Sequence, residues 1–151
     1  MSNIRGLTKF VSDLRFCESE EQVEKRVSTE LAKIRSKFAA GKISGYDLKK
    51  YVWKLIYIFM MGFDVDFGHI EAVQLLTMPK YSEKNAGHIA VTLMLNENND
   101  VLRLTIQAIK KDLATGTDEV QCLALSTIAN IGGEEFAESL SGDVLKLLIS
   151  K

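Results

Sequence analysis

Lys49, Lys50 and Lys54 stand close together in the chain, with Tyr51 among them. Lys50 and Lys54 are four residues apart, so on a helix they share one face. Like charges at that spacing repel mildly, and lysines stay in water unless they are paired. The cluster therefore offers the fold little, and its use would be to hold something anionic. Arg35 and Lys37 come shortly before it, Arg5 stands near the start of the chain, and Tyr51 offers a hydroxyl. If the elements carrying these residues pack together, the cations converge with the free N–H groups of a helix start. That combination suits a multiply phosphorylated ligand. The plain alternative is a lysine face that only keeps the surface solvated.

Other chemistry is poorly supported. Asp64, Asp66, His69 and Glu71 lie close in sequence, but the first two fall in a loop and the last two open a helix. Acidic groups there answer the helix dipole, so no metal is expected. His88, between Gly87 and Ile89, reads as a packed or surface histidine. Cys17 and Cys122 are too few for a disulfide framework, read as small hydrophobes and suit a reducing compartment. There is no glycine-rich phosphate loop and no nucleophile elbow. Neither an enzyme nor a cofactor is expected.

The elements that must position these residues are helical. At 151 residues, with 46% apolar and 26% charged side chains, the chain is long and apolar enough for one folded domain, which excludes a disordered tail. One proline and ten glycines are too little punctuation for a many-stranded sheet. The net charge of −1 hides an asymmetry: residues 1–54 hold twelve Lys/Arg against seven Asp/Glu, and residues 55–151 hold seven against thirteen. Such asymmetry suggests a basic end that meets an anionic partner; the plain alternative is two solvated surfaces that differ in charge. Nucleic acid is not that partner, because the whole chain is near neutral and aromatic residues do not alternate with the lysines. The longest apolar run, Leu55 to Phe63, is too short to span a bilayer, and no leader is visible. The expectation is a soluble protein whose contact with any membrane is peripheral.

Eight helices are expected. Ile4, Leu7, Val11 and Leu14 stripe the first. Ser19-Glu20-Glu21-Gln22 reads as a capping box for the second, which ends at Ala39-Ala40-Gly41. The third, about Tyr46 to Met61, starts basic and becomes apolar all round, so it should sink into the core. The fourth runs from His69 to about Met78 and is stopped by Pro79. Ser82 is a candidate N-cap for the fifth, and Asn96 to Asn99 forms a linker. Leu102, Ile106, Ile109 and Leu113 stripe the sixth, and Asp118 to Gln121 reads as a capping box for the seventh. Phe136 to Leu140 and Val144 to Ile149 are separate short pieces. Leu55, Ile58, Phe59, Ala72, Leu75, Leu93, Ile106, Leu123 and Ile128 are the expected core. Hairpins of helices five with six and seven with eight repeat at just over thirty residues, which points to an all-α solenoid of HEAT or armadillo type.

Blocks of the sequence are familiar. Arg5-Gly6-Leu7, Phe10 to Arg15, Glu30 to Phe38, Lys49-Lys50-Tyr51-Val52-Trp53-Lys54-Leu55, Asp64 to Val73, Lys80 to Lys84 and Ile109 to Leu113 closely resemble the N-terminus of the alpha-adaptins. These are large subunits of the plasma-membrane clathrin adaptor complex. The resemblance covers essentially the whole chain. It implies the N-terminal part (1–151) of an α-solenoid trunk without enzymatic activity, working in the cytoplasm on the inner face of the plasma membrane at clathrin-coated pits. Implied partners are beta, mu and sigma subunits, phosphatidylinositol 4,5-bisphosphate membranes, acidic dileucine cargo tails and, indirectly, clathrin. It further implies a phosphoinositide site at Arg5, Lys37, Lys49, Lys50, Tyr51 and Lys54, and a cargo contact at Arg15. Two further basic positions of that family are Ala39 and Leu48 here, which takes positive charge from the site, and Lys42 is near enough to compensate in part. A gamma-like large subunit and a pure protein-binding scaffold without a lipid site are the alternatives.

Overall fold

A computed structural model describes residues 4–95 and 101–149. Among them are eight helices and no strand: α1 (Arg5–Arg15), α2 (Glu20–Ala39), α3 (Gly45–Met60), α4 (His69–Leu76), α5 (Tyr81–Met94), α6 (Leu102–Thr115), α7 (Asp118–Ile131) and α8 (Glu134–Ile149). The chain is all-α, as expected. The Asn96–Asn99 linker lies outside the described residues.

Local chemistry sets the helix ends. The Ser19 hydroxyl accepts the Gln22 N–H at 3.3 Å, and the Gln22 side chain accepts the Glu18 N–H at 3.0 Å, so the first capping box forms one residue wider than drawn. The second does not form. Thr117 is the N-cap of α7, and the Gln121 amide turns back to the Leu113 carbonyl of α6 at 2.9 Å. Lys80, not Ser82, precedes α5. Gly68 opens α4 at φ +91°, a conformation that a side chain would strain.

The helices form two rows. α3, α5 and α7 pack side by side in one, and α4, α6 and α8 in the other. The tight pairs across the rows are α4 with α5 and α6 with α7, shifted by one helix from the hairpins expected. Gly116 and Thr117 alone separate α6 from α7, and so short a connection makes the pair antiparallel. Packed pairs in succession make the solenoid. Another correction is α8, which runs unbroken through Ser141-Gly142. Leu140, Val144 and Leu147 fall on one stripe against the core of α6 and α7, and that packing outweighs the weak helix preference of glycine.

α3 is the hinge of the packing. Leu48, Val52 and Ile56 face α4 and α5, while Tyr51, Leu55 and Ile58 face Phe10 and Leu14 of α1 and Val27 and Ile34 of α2. Two buried faces explain a helix that is apolar nearly all round. Of the expected core, Leu55, Ile58, Ala72, Leu75 and Ile106 are buried and Leu123 and Ile128 half-buried, but Phe59 and Leu93 are exposed. Both exposed residues lie in the last turns of their helices, where Ile58 and Met94 beside them take the core-facing positions.

Candidate functional site

The basic residues of α3 are not the solvated face that their spacing suggests. Lys49 and Lys54 are only 6% and 5% exposed. The Lys54 ammonium is 2.5 Å from Glu30 of α2, itself buried. Lys49 donates to the Ser82 hydroxyl of α5 at 3.2 Å and lies 6.0 Å from the Tyr46 ring centre. Lys50 is half-buried. Its ammonium is 2.5 Å from Asp47, and its stem lies against Gly6, where any side chain on α1 would collide with it.

Tyr51 is buried and acts through its ring. The ring meets Phe38 edge-on at 6.1 Å, while the Lys50 and Lys54 ammonium groups stand 4.6 and 5.9 Å from its centre. A π ring within reach of two cations attracts both and so offsets part of their repulsion.

The start of α3 is also less open than the sequence suggests. The Ser44 hydroxyl accepts the Asp47 N–H at 3.2 Å. The buried Glu83 carboxylate lies against Gly45, within 2.8 Å of where a side chain there would begin. The positive end of this helix dipole therefore already faces two carboxylates of the chain. Asp47 itself titrates below the ordinary aspartate value. The hydrogen bond from Lys50 is the largest cause and outweighs partial burial, and the charge of Lys37 adds to it. Lys37 is thus part of the same electrostatic neighbourhood.

The outer ring of the expected site is partly assembled. Arg5 and Lys37 are exposed, Arg5 beside the Gly6 contact with Lys50. The Arg5 side chain lines a shallow depression on α1 with Thr8, Lys9, Ser12 and Asp13. Arg35 does not join them: it pairs with Asp66 at 2.8 Å and lies over the Phe67 ring. Ala39 and Lys42 are exposed at the end of α2 and just beyond it. Leu48 is 1% exposed and packs within the core, so its position faces inward. Arg15 is exposed in the last turn of α1, ten residues and about 15 Å along the helix from Arg5.

Two polar systems were not read from the sequence. One is a ladder across three helices: Lys54 to Glu30, Glu30 to Arg26 at 2.8 Å, and Arg26 to Asp13 at 3.0 Å. Burial alone would raise the Glu30 carboxyl, but hydrogen bonds from Lys54 and Arg26 and their charges hold it below its ordinary value. The other is buried between α5, α6 and α7. Lys84 grips both oxygens of Asp112 at 2.7 and 2.8 Å and also donates to the Leu76 carbonyl. His88 lies 2.8 Å from the Thr127 hydroxyl and 3.4 Å from Asp112. Here too burial would raise the Asp112 carboxyl, and bonds from His88 and Lys84 overcome it. The only sequence signal was Lys84 and His88 at helical spacing; their partners are far along the chain.

Comparison with known proteins fits this architecture. Residues 23–151 match the family model described as the adaptin N terminal region. The chain is 50% identical over 151 residues to the AP-2 complex subunit alpha-1 of Arabidopsis thaliana, covering 99% of this chain and 15% of that protein. It is 52% identical over 149 residues to the AP-2 complex subunit alpha of Schizosaccharomyces pombe, covering 99% of this chain and 17% of that protein. Against the AP-1 complex subunit gamma-like 2 of Mus musculus, identity is 31% over 143 residues, 95% of this chain and 18% of that protein. The chain thus spans about a sixth of the length of the relatives it matches, 15–18%. With a family model over most of its length and half its residues shared with AP-2 alpha subunits, the chain belongs to the adaptin family, by the N-terminal region of its large subunits.

Proposed function

We propose that this chain is the N-terminal trunk segment of an alpha-type large subunit of a clathrin adaptor. It would assemble with beta, mu and sigma subunits and help bring the complex to phosphoinositide membranes during endocytosis. The observation that carries the reading is identity: 50–52% to AP-2 alpha subunits over nearly the whole chain, against 31% to a gamma-like subunit. The helix rows supply what an adaptor needs, an elongated surface on which partner subunits can lie. This role is adaptor work, with no catalytic step and no cofactor.

Within that reading, Arg5, Lys37 and Lys50 form the accessible part of the lipid site, supported by the exposure of Arg5 and Lys37 and by the contact of the half-buried Lys50 with the start of α1. Lys49, Lys54 and Tyr51 form its floor and hold α3 in place. Arg15, at the far end of α1, would read the acidic residue of a dileucine cargo tail once the sigma subunit is present. Sedimentation with phosphatidylcholine vesicles, with and without phosphatidylinositol 4,5-bisphosphate, tests the lipid site. Binding should require the phosphoinositide and fall in Lys37→Gln/Lys50→Gln, which leaves the buried pairs untouched. Equal sedimentation with both vesicle types would leave the scaffold reading, which the buried pairing of Lys49 and Lys54 favours. In the assembled complex, Arg15→Glu should weaken dileucine-peptide binding, and undiminished binding would remove Arg15 from that role.

A further inference from the structure

Among the charged groups at the basic end, the carboxylate of Asp47 occupies an unusual position. One oxygen is 2.5 Å from the Lys50 ammonium, and the other is 3.2 Å from the Ser44 hydroxyl, which donates to it. Lys37, from the end of α2, is close enough for its charge to act on the same carboxylate. A lysine, a hydroxyl and a second cation around one anion are also the groups that would hold a phosphate. Asp47 supplies that anion from within the chain.

The two internal counter-ions of the site differ in one decisive respect. Glu30 is 3% exposed and held from two sides by Arg26 and Lys54, so a ligand cannot displace it without opening the core. The Asp47 side chain is 44% exposed, and its partners are the exposed Ser44 and the half-buried Lys50 of its own helix start, with no second helix among the described residues holding it as Arg26 and Lys54 hold Glu30. Water can replace it at small cost.

We propose that Asp47 is a built-in competitor at the anion site: its carboxylate holds Lys50 where a phosphate of a multiply phosphorylated inositol would sit, and so lowers the affinity of the basic end. The inference rests on the phosphoinositide reading given above. Removing one negative charge within contact range of the site should tighten such a ligand by roughly threefold to tenfold at physiological salt. If Asp47 were only a helix-start acid answering the dipole, its loss would lower the melting temperature slightly and leave ligand affinity unchanged.

The test is calorimetry of the chain with soluble inositol hexakisphosphate, together with sedimentation on phosphatidylcholine vesicles containing phosphatidylinositol 4,5-bisphosphate. Asp47→Asn and Asp47→Ser are compared with the parent, and Lys50→Gln is measured in the parent and in the D47N background. The expected result is tighter binding by both Asp47 variants and a larger loss from Lys50→Gln in the D47N background, where Lys50 is free to meet the ligand. Tightening on both probes assigns the site to the lipid head group; tightening on the soluble probe alone assigns it to a free inositol polyphosphate. Binding by the parent that Asp47→Asn leaves unchanged overturns the competitor and keeps the basic site. Absence of binding by parent and variants alike overturns both.

Discussion

The Lys54 ammonium and the Glu30 carboxylate meet 2.5 Å apart, buried between α3 and α2. Their contact ties the basic helix to its neighbour, so Lys54 serves the fold before it serves any ligand. A buried pair contributes little compared with apolar side chains, but removing one partner strands the other. Lys54→Gln should destabilise the chain by about 3 kcal/mol, the low end for a broken buried pair because Arg26 still holds Glu30. Thermal melting by circular dichroism reads this directly. An unchanged melting temperature would mean that the pair is solvated in solution.

The same ladder sets a dependence on pH. The folded Glu30 carboxyl titrates below its ordinary value. A depressed carboxyl contributes stability that is complete above the unfolded value, about 4.3 for glutamate, and is lost as pH falls through the lower folded value. Asp112 has the same sign. Stability should therefore be flat above about pH 5 and decline below it. In Glu30→Gln the decline should be shallower, and an equal loss of stability between about pH 7 and pH 3.5 in variant and parent, read from denaturant melts, would count against the assignment.

Asp112 holds the second network. Replacing it by alanine leaves Lys84 buried with only the Leu76 carbonyl and removes the acceptor facing His88. A loss of about 3–5 kcal/mol is expected, the cost of a stranded buried charge. Because that cost is stranding and not lost attraction, Lys84→Met combined with Asp112→Leu should recover most of it. A double variant as unstable as Asp112→Ala would show that the network, not desolvation, carries the energy.

What could be read from the sequence was periodic and local. The stripe Leu102, Ile106, Ile109 and Leu113 is buried throughout, and Ser19 caps α2, because both depend on residues within a turn or two of one another. The state of the lysines depends on distant partners: Glu30 is 24 residues from Lys54, and Ser82 is 33 from Lys49. No spacing rule relates such pairs. The break expected at Ser141-Gly142 follows helix propensity correctly, but the apolar stripe through Leu140, Val144 and Leu147 overrides it. The inward direction of Leu48 could have been suspected, since Val52 and Ile56 continue its face at intervals of four.

Gly87 marks a close approach within the α4–α5 pair. A methyl group there would lie 2.8 Å from the Leu75 side chain and the Leu76 nitrogen, and 2.9 Å from the Ala72 carbonyl oxygen. Alanine gains up to about 1 kcal/mol over glycine in a helix. Overpacking costs about 1–3 kcal/mol, and backbone atoms of α4 can move aside only by shifting the helix. The second effect should win, so Gly87→Ala should lower the melting temperature. A stabilised variant would mean that the two helices are less tightly joined in solution.

Gly142 is the opposite case. It lies within α8 and is exposed, and no atom lies within 4 Å of the place a methyl group would take. Its backbone is ordinary helix, so the left-handed freedom of glycine has no use there. The packing cost that decides Gly87 is absent, and only the propensity difference remains. Gly142→Ala should therefore stabilise the chain by about 0.5–1 kcal/mol, mainly by limiting the conformations of the unfolded state. The gain should appear as a higher melting temperature, with slower amide exchange on both sides of residue 142. Were α8 instead two short helices meeting at Ser141-Gly142, alanine would not stabilise the joint, and rapid exchange would persist there.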